Sequence, residues 1–177
     1  LKQIAVTGIR TEAPPESNEA LRGLSDRLRE DVLRHFAGAL TIRHVGAGSC
    51  NGCELEINML NNPHYNLEGL GIKFVASPRH ADMLLVTGPV SRHMEVALKR
   101  TYEATPEPKL VVAIGDCGCT GGIFGESYAS RGRVSNVIPV DVAVPGCPPT
   151  PFAIMQGILT AISVKKSSDT EDTEDAE

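Results

Sequence analysis

Long apolar runs are missing from this sequence of 177 residues. None approaches the roughly 20 consecutive apolar residues that a helix needs to cross a bilayer. The apolar stretch at the start of the chain, within residues 1–7, is too short for a secretory signal, and polar residues interrupt it too early. The chain also lacks a large excess of one charge, because the net charge is only −5 and much of it comes from residues 169–177. The sequence therefore predicts no membrane span and gives no reason to expect nucleic acid as a partner.

Cysteine is present in an odd number, five. An odd number argues against a framework of paired disulfides, and without an export signal we expect the thiols in a reducing compartment. Cysteines in that setting usually bind metal or take part in redox chemistry. Hydrophobic residues make up 41% and charged residues 22% of the chain, which is ordinary for a soluble globular protein. We therefore expect a cytoplasmic protein with one substantial core.

Strand-like segments alternate with helical ones along most of the chain. Helical periodicity or capping residues predict helices over Ser17–Phe36, over Cys53–Leu60, after Ser91 and after Thr150. Short, apolar, strand-like runs occupy residues 40–45, 72–76, 83–87 and 110–114, and a fifth lies within 138–144. This alternation predicts an α/β, flavodoxin-like fold with a mainly parallel sheet and helices on both faces.

Three regions are expected along the chain. Residues 1–39 form an N-terminal extension, with an extended start over 1–16 and then an amphipathic helix. Because the polar side of that helix is mixed in sign, we expect it to pack on its own domain or a partner, not on a membrane. Residues 40–164 form the main domain, and its last helix is apolar nearly all round but too short to span a bilayer. Residues 165–177 have almost no apolar surface and are expected to be a disordered acidic tail.

Glycine-flanked cysteines follow three of the predicted strands. Cys50 and Cys53 come after the first, Cys117 and Cys119 after the fourth, and Cys147 after the fifth. The loops that follow parallel strands emerge at one edge of the sheet, where ligands bind. The sequence therefore predicts that thiols far apart along the chain meet at one place.

Four gathered thiolates hold either an iron–sulfur cluster or zinc. Structural zinc often uses two compact Cys-x-x-Cys pairs, whereas here only Cys50 and Cys53 form one. A cluster is larger than one ion and suits ligands from three loops, so it is favoured over zinc, with inert thiols as a third alternative. Cys147 would complete the set, and Cys117 and Cys119 compete for the remaining position, which spacing alone leaves open.

Other polar residues beside these motifs have structural explanations as well as functional ones. Glu54 and Glu56 point about 200° apart on a helix, so at most one faces a cluster or a proton route, and either can stabilise a helix start instead. An Arg–Asp structural pair or an interface would explain the loop that holds Arg79, His80 and Asp82. His44 and His93 are expected to be packed or exposed residues, not ligands. No hydrolase motif is present.

Four motifs, in this order, give the chain a family resemblance: Gly48–Glu56, Ser77–Asp82, Gly115–Phe124 and Ile138–Pro151. They resemble the small subunit of membrane-bound, group 4 nickel–iron hydrogenases of the formate hydrogenlyase type. The 20 kDa subunit of respiratory complex I is a member of the same family. The resemblance covers residues 40–163, and the spacing of Cys50 and Cys53 is similar to the hydrogenase branch, because complex I has two adjacent cysteines there.

The resemblance implies one 4Fe–4S cluster on Cys50, Cys53, Cys117 and Cys147, with Cys119 at a non-ligand position. It also implies three kinds of partner: a nickel–iron large subunit that holds the active site, a ferredoxin-like subunit and integral membrane subunits. The chain would then be a non-catalytic subunit that relays electrons for proton reduction or hydrogen oxidation. It would lie peripherally on the cytoplasmic face of the membrane. The alternatives are a complex I-type subunit that passes electrons to quinone and, from another class, a zinc-stabilised scaffold.

Overall fold

A sheet of five parallel strands forms the centre of the protein, in the order β2-β1-β3-β4-β5. The strands are β1 (Leu40–Gly46), β2 (Ile72–Phe74), β3 (Met83–Thr87), β4 (Leu110–Ile114) and β5 (Val142–Val144). This order is that of flavodoxin, and the predicted flavodoxin-like α/β fold is confirmed. The structure, a computed structural model, describes residues 19–36 and 39–174, with side chains for 19–34, 36 and 39–164. The extended start expected over 1–16 lies outside the described residues.

Five α-helices accompany the sheet in the described part of the chain. They are α1 (Glu19–His35), α2 (Gly52–Met59), α3 (Arg92–Ala104), α4 (Gly115–Thr120) and α5 (Pro151–Glu174). Ser91 caps α3 as expected, because its side chain accepts a hydrogen bond from the Met94 amide. Thr150 precedes α5 and accepts from the Ala153 amide at 3.3 Å. The helix α4 was not predicted, since its segment was expected to be a loop.

Two apolar layers hold the helices on opposite faces of the sheet. Every residue of β3 and β4 is buried, as expected for central strands covered on both sides. Alternate residues of these strands face α1, α2 and α5 on one side, and α3 on the other. The predicted amphipathic helix thus packs on its own domain, with its apolar residues buried along one side: Leu21, Leu24, Leu28 and Val32.

The last helix is longer than the sequence predicted. Its backbone continues to Glu174 and so enters the segment 165–177 that was expected to be a disordered tail. The proposed division of the chain into three regions stays a prediction. With 24 residues, α5 is not excluded as a membrane span by its length, contrary to the expectation. Among the residues that the structure describes, no helix combines the length and the apolar character that a span requires.

Candidate metal centre

Four cysteines line one cavity at the carboxyl ends of the strands. They are Cys50, Cys53, Cys117 and Cys147, and the cavity has a volume of about 160 Å³. The turn between β1 and α2 contributes the first two, helix α4 the third, and the turn between β5 and α5 the fourth. The structure therefore brings these distant thiols together at this edge, as expected. Their role as ligands stays a prediction.

The spare thiol lies elsewhere. Cys119 does not line this cavity but a separate one of about 230 Å³, beside Val140 and Asp141. Its Sγ is 3.6 Å from the carbonyl oxygen of Ala113, and its side chain packs on the apolar layer that faces α3. Cys117 and Cys119 are two residues apart on α4 and point to opposite sides of it. The structure thus separates the two candidates that spacing alone could not.

Burial and mutual proximity shape the electrostatics of the cavity. Burial first, and then the charges of Glu54, Cys50, Cys117 and Cys147, raise the pKa of the Cys53 thiol to about 11. The pKa of the Cys117 thiol is also raised, by burial and then by Cys147, Cys50 and Asp116. A cationic metal centre held by these thiols would offset the repulsion between thiolates, and its binding would release their protons.

Two glycines let the backbone approach the thiols closely. A Cβ at Gly115, where φ is +83°, would lie 2.6 Å from the Cys53 Sγ. A Cβ at Gly122, where φ is +53°, would lie 2.9 Å from the Cys117 Sγ. Side chains at these two positions would collide with sulfur, and the left-handed backbone there also favours glycine. Open space around the sulfurs is what a bulky inorganic group needs.

Asp116, which the sequence reasoning did not single out, ties two of the cysteine-bearing segments together. Its backbone amide donates to the carbonyl oxygen of Gly146 at 2.9 Å, and its Oδ1 accepts from the Gly146 amide at 2.8 Å. This reciprocal pair of hydrogen bonds fixes the residue before Cys117 against the residue before Cys147. An acidic residue directly before a strand-end cysteine was the signal in the sequence that could have identified it.

Glu54 makes polar contacts behind the cavity. Its Oε1 accepts from the Ser49 hydroxyl and, at 2.5 Å, from the Thr87 hydroxyl. Burial by itself would raise the pKa of Glu54, but these hydrogen bonds outweigh it and the pKa lies below its ordinary value. His44 Nε2 lies 3.0 Å from the Thr87 Oγ1, and burial lowers the pKa of this histidine.

The remaining candidates lie apart from the thiols. Asp82 Oδ2 accepts from the Thr41 amide at 2.9 Å and from the Thr41 hydroxyl at 2.7 Å. The Arg79–Asp82 pair, one of the two explanations considered for this loop, is not among the ion pairs of the described residues. The side chains of Arg79, His80 and His93 are exposed. Glu56 is half-buried and does not line the cavity.

The cavity has the donors and the space for a group held by thiolates. Four thiols surround a space of about 160 Å³, with glycine beside two of them. Four thiolates hold either zinc or an iron–sulfur cluster. Among the described side chains, no three or more His, Cys, Asp or Glu residues are gathered closely enough to hold one metal ion, so a single zinc, with sulfurs at about 2.3 Å, would need the thiols to move closer together.

Comparison with known proteins finds subunits of hydrogenases and of NADH-quinone oxidoreductase among the relatives. A probable membrane-bound hydrogenase subunit of Pyrococcus furiosus is 47% identical over 82% of this chain and 87% of its own length. Formate hydrogenlyase subunit 7 of Escherichia coli is 41% identical over 77% of this chain and 54% of its own length. An NADH-quinone oxidoreductase subunit of Desulfovibrio desulfuricans is 46% identical over 60% of this chain and 58% of its own length. The aligned regions thus span little more than half of the last two relatives.

Solved structures and a family profile agree with these relatives. A chain of the membrane-bound sulfane sulfur reductase, an archaeal respiratory membrane complex, superimposes with a TM-score of 0.64 and 36% identity, covering 74% of this chain and 73% of that one. A Dm. baculatum NiFeSe-hydrogenase, at TM-score 0.50, 18% identity and coverage of 71% and 62%, shares the fold. The profile of the 20 kDa subunit of NADH ubiquinone oxidoreductase matches residues 50–161. The chain therefore belongs to the family of the complex I 20 kDa subunit, which includes subunits of membrane-bound hydrogenases.

Proposed function

We propose that the chain is the electron-transfer subunit of a membrane-bound nickel–iron hydrogenase and holds one 4Fe–4S cluster on Cys50, Cys53, Cys117 and Cys147. The observation that carries the proposal is the meeting of these four thiols at one cavity, while the fifth lies in another. Bound there, a cluster would take up and release one electron at a time. The chain's own residues supply the thiolates and the fixed turns that hold them.

The exposure of the cysteines supports a relay between partners. Cys50 and Cys147 are exposed, while Cys53 and Cys117 are half-buried. A redox group held between them therefore lies near the surface, where a partner can approach it. In the proposed complex a nickel–iron large subunit and a ferredoxin-like subunit are the electron partners, and the active site lies on the large subunit.

A surface suited to a partner adjoins the thiols. A second cavity of about 450 Å³ is lined by Cys50, Cys117 and Cys147 and also by Ile123 and Phe124. Ile123 is 95% and Phe124 53% exposed, although both side chains are apolar. Exposed apolar side chains grouped at a site mark protein interfaces. We call Ile123 and Phe124 the cavity rim, and we assign it to the contact with the large subunit.

Metal analysis of the anaerobically purified complex tests the proposed cofactor. We expect about four irons for each copy of this chain, beyond those in the partner subunits, together with a reducible electron paramagnetic resonance signal. Four thiols line the cavity, and a cluster of this type takes four thiolate ligands. Stoichiometric zinc without iron in the chain would instead establish the zinc-stabilised scaffold.

The complex I-type alternative rests on the relatives that are named as subunits of NADH-quinone oxidoreductase. In that case the chain itself would be the subunit that passes electrons to quinone. The arrangement Cys50-Asn51-Gly52-Cys53 favours the hydrogenase branch, because the sequence resemblance of this pair is to hydrogenases. Hydrogen evolution from a reduced viologen dye by the purified complex, with no quinone reduction, is the expected result. Quinone reduction without hydrogen chemistry would reverse the assignment.

Association with the membrane is proposed to be indirect, through integral partner subunits on the cytoplasmic side. On α1, Arg22, Arg27, Arg29 and Arg34 are balanced by Glu19, Asp26, Glu30 and Asp31. The apolar side of this helix is already buried on its own domain. Anionic lipid gains little attraction from a helix whose charges cancel.

Flotation with protein-free anionic liposomes checks this expectation. We expect the isolated holo-chain to stay at the bottom of the gradient, and the complex with integral subunits to float after reconstitution. The apolar side of α1 is buried on its own domain, and Leu33 is the one large apolar side chain exposed on the described part of this helix. Charge reversal of Arg27 or Arg34 to Glu is therefore expected to leave the flotation unchanged. Strong flotation of the isolated chain would contradict indirect association.

A further inference from the structure

We propose that Glu54 is a positioning residue, which fastens the turn carrying Cys50 and Cys53 to the end of β3. Its side chain is absent from the lining of the thiol cavity, whereas its neighbours Ser49 and Cys53 belong to that lining. Glu54 therefore acts on the cavity through other residues. The inference rests on the proposed cluster site and adds to it a residue outside the ligand set.

One oxygen of Glu54 closes the turn on itself. Ser49 directly precedes Cys50, and Glu54 directly follows Cys53. The hydrogen bond from the Ser49 hydroxyl to the Glu54 Oε1 therefore joins the two residues that flank the ligand pair. Movement of either thiol away from the other would have to break or stretch this bond.

The same oxygen joins the turn to the sheet. The hydroxyl of Thr87, the last residue of β3, also donates to the Glu54 Oε1, at 2.5 Å. Thr87 is fully buried, and His44 Nε2 on β1 lies 3.0 Å from its Oγ1. The contact partners therefore belong to the rigid centre of the sheet, which gives the carboxylate a fixed anchor.

The turn has no side-chain cap at the start of α2. Asn51, the residue before α2, has a left-handed φ of 74° and makes no side-chain cap to the helix. A glutamate in the first turn often reaches back to the cap amide, but here Glu54 reaches Ser49 and Thr87 instead. Backbone bonds fix the earlier part of the loop, from the Ala47 amide to the Thr87 carbonyl oxygen at 2.9 Å and from the Ser91 amide to the Ala47 carbonyl oxygen at 2.8 Å.

The second oxygen of Glu54 points to the same conclusion. Its Oε2 is buried and has no hydrogen-bond partner among the described residues. A buried oxygen without a partner costs free energy. The side chain is therefore held through its Oε1, which accepts from the two hydroxyls and lies 3.7 Å from the His44 Nε2. A glutamine would keep an acceptor oxygen for the two hydroxyls while it removes the charge, so it separates the hydrogen bonds from the charge.

The test compares four single substitutions in the full complex. Glu54→Ala and Thr87→Val remove the contact from either side, Glu54→Gln keeps an acceptor, and Glu56→Ala is the matched control on the same helix. Iron content, the electron paramagnetic resonance spectrum of the reduced chain and the rate of cluster loss to an iron chelator are measured. These readouts report on the cluster itself and do not depend on turnover by the large subunit.

We expect Glu54→Ala to shift the spectrum and to speed cluster loss about tenfold, the lower end for loss of an outer-sphere contact. Thr87→Val should act in the same direction, and the double variant should show less than the sum of the two effects, because both changes remove the contact that Thr87 and Glu54 share. Glu54→Gln and Glu56→Ala should resemble the parent. If Glu54→Gln fails as badly as Glu54→Ala, or if Glu54→Ala resembles Glu56→Ala, the positioning role is overturned. A parent without iron would instead overturn the proposed function.

Discussion

Serine in place of Cys50, Cys53, Cys117 or Cys147 is expected to reduce the iron of this chain from about four atoms to less than one, with loss of the reducible signal. Each of the four thiols lines the same cavity. A serine hydroxyl remains protonated at neutral pH and is a poor ligand for iron, so three thiolates would be left to hold the group. Iron analysis and electron paramagnetic resonance of each variant measure the effect.

Cys119→Ser is the matched control for these four variants. Cys119 shares helix α4 with Cys117 but lines the separate 230 Å³ cavity. Burial, and then the nearby Asp116 charge, raise the pKa of this thiol to about 11. The thiol is therefore neutral, and it packs against apolar side chains. We expect full iron content in Cys119→Ser. Full iron in Cys117→Ser together with loss in Cys119→Ser would exchange the roles of the two residues.

Aspartate at Phe124 is expected to separate the chain from the proposed hydrogenase large subunit. Phe124 belongs to the cavity rim, where an apolar side chain remains 53% exposed beside three of the four cavity cysteines. In the complex this ring would be covered, and a charge placed there would have to be buried without a partner. We expect at least a tenfold loss of large subunit recovered with the tagged chain, equivalent to about 1.4 kcal/mol of binding free energy.

Val96→Asp provides the control for that experiment. Val96 on α3 is 55% exposed, close to the value for Phe124, and it lines neither of the thiol cavities. The large subunit is identified by peptide mass and by nickel content, and iron in the chain is measured in parallel. Equal recovery with Phe124→Asp and Val96→Asp would show that the contact with the large subunit lies elsewhere. If iron in the chain is lost together with recovery of the large subunit, the substitution acts on the metal group and not on the interface.

The strands at the centre of the sheet could be predicted from the sequence alone. Residues 83–86 and 110–114 are uninterrupted apolar runs, and the structure has strands there, over 83–87 and 110–114. Such runs are long enough to cover both faces of a central strand and too short for a buried helix. The glycine-rich segment after β4 was less predictable. Helix α4 was missed because Gly115, Gly118 and two cysteines give it no apolar periodicity.

The sequence by itself also determined that thiols would gather at one edge. Because these strands are parallel, the loops that follow them emerge at the same edge of the sheet, and the glycine-flanked cysteines of those loops gather there. Which thiols face one another was decided only by the tertiary structure. Cys117 and Cys119 are equivalent in spacing, and the rotation of α4 against β4 and β5 turns the first toward Cys50 and Cys147 and the second toward Val140.

The different roles of Glu54 and Glu56 have the same origin. Both follow Cys53 on α2, and local sequence gives each an equal claim to a functional contact. The position of α2 against β1 and β3 brings Glu54 within reach of the hydroxyls of Ser49 and Thr87 and leaves Glu56 half-buried away from the cavity. Helical geometry fixes the angle between two neighbouring side chains, but only packing against the sheet fixes which of them points inward.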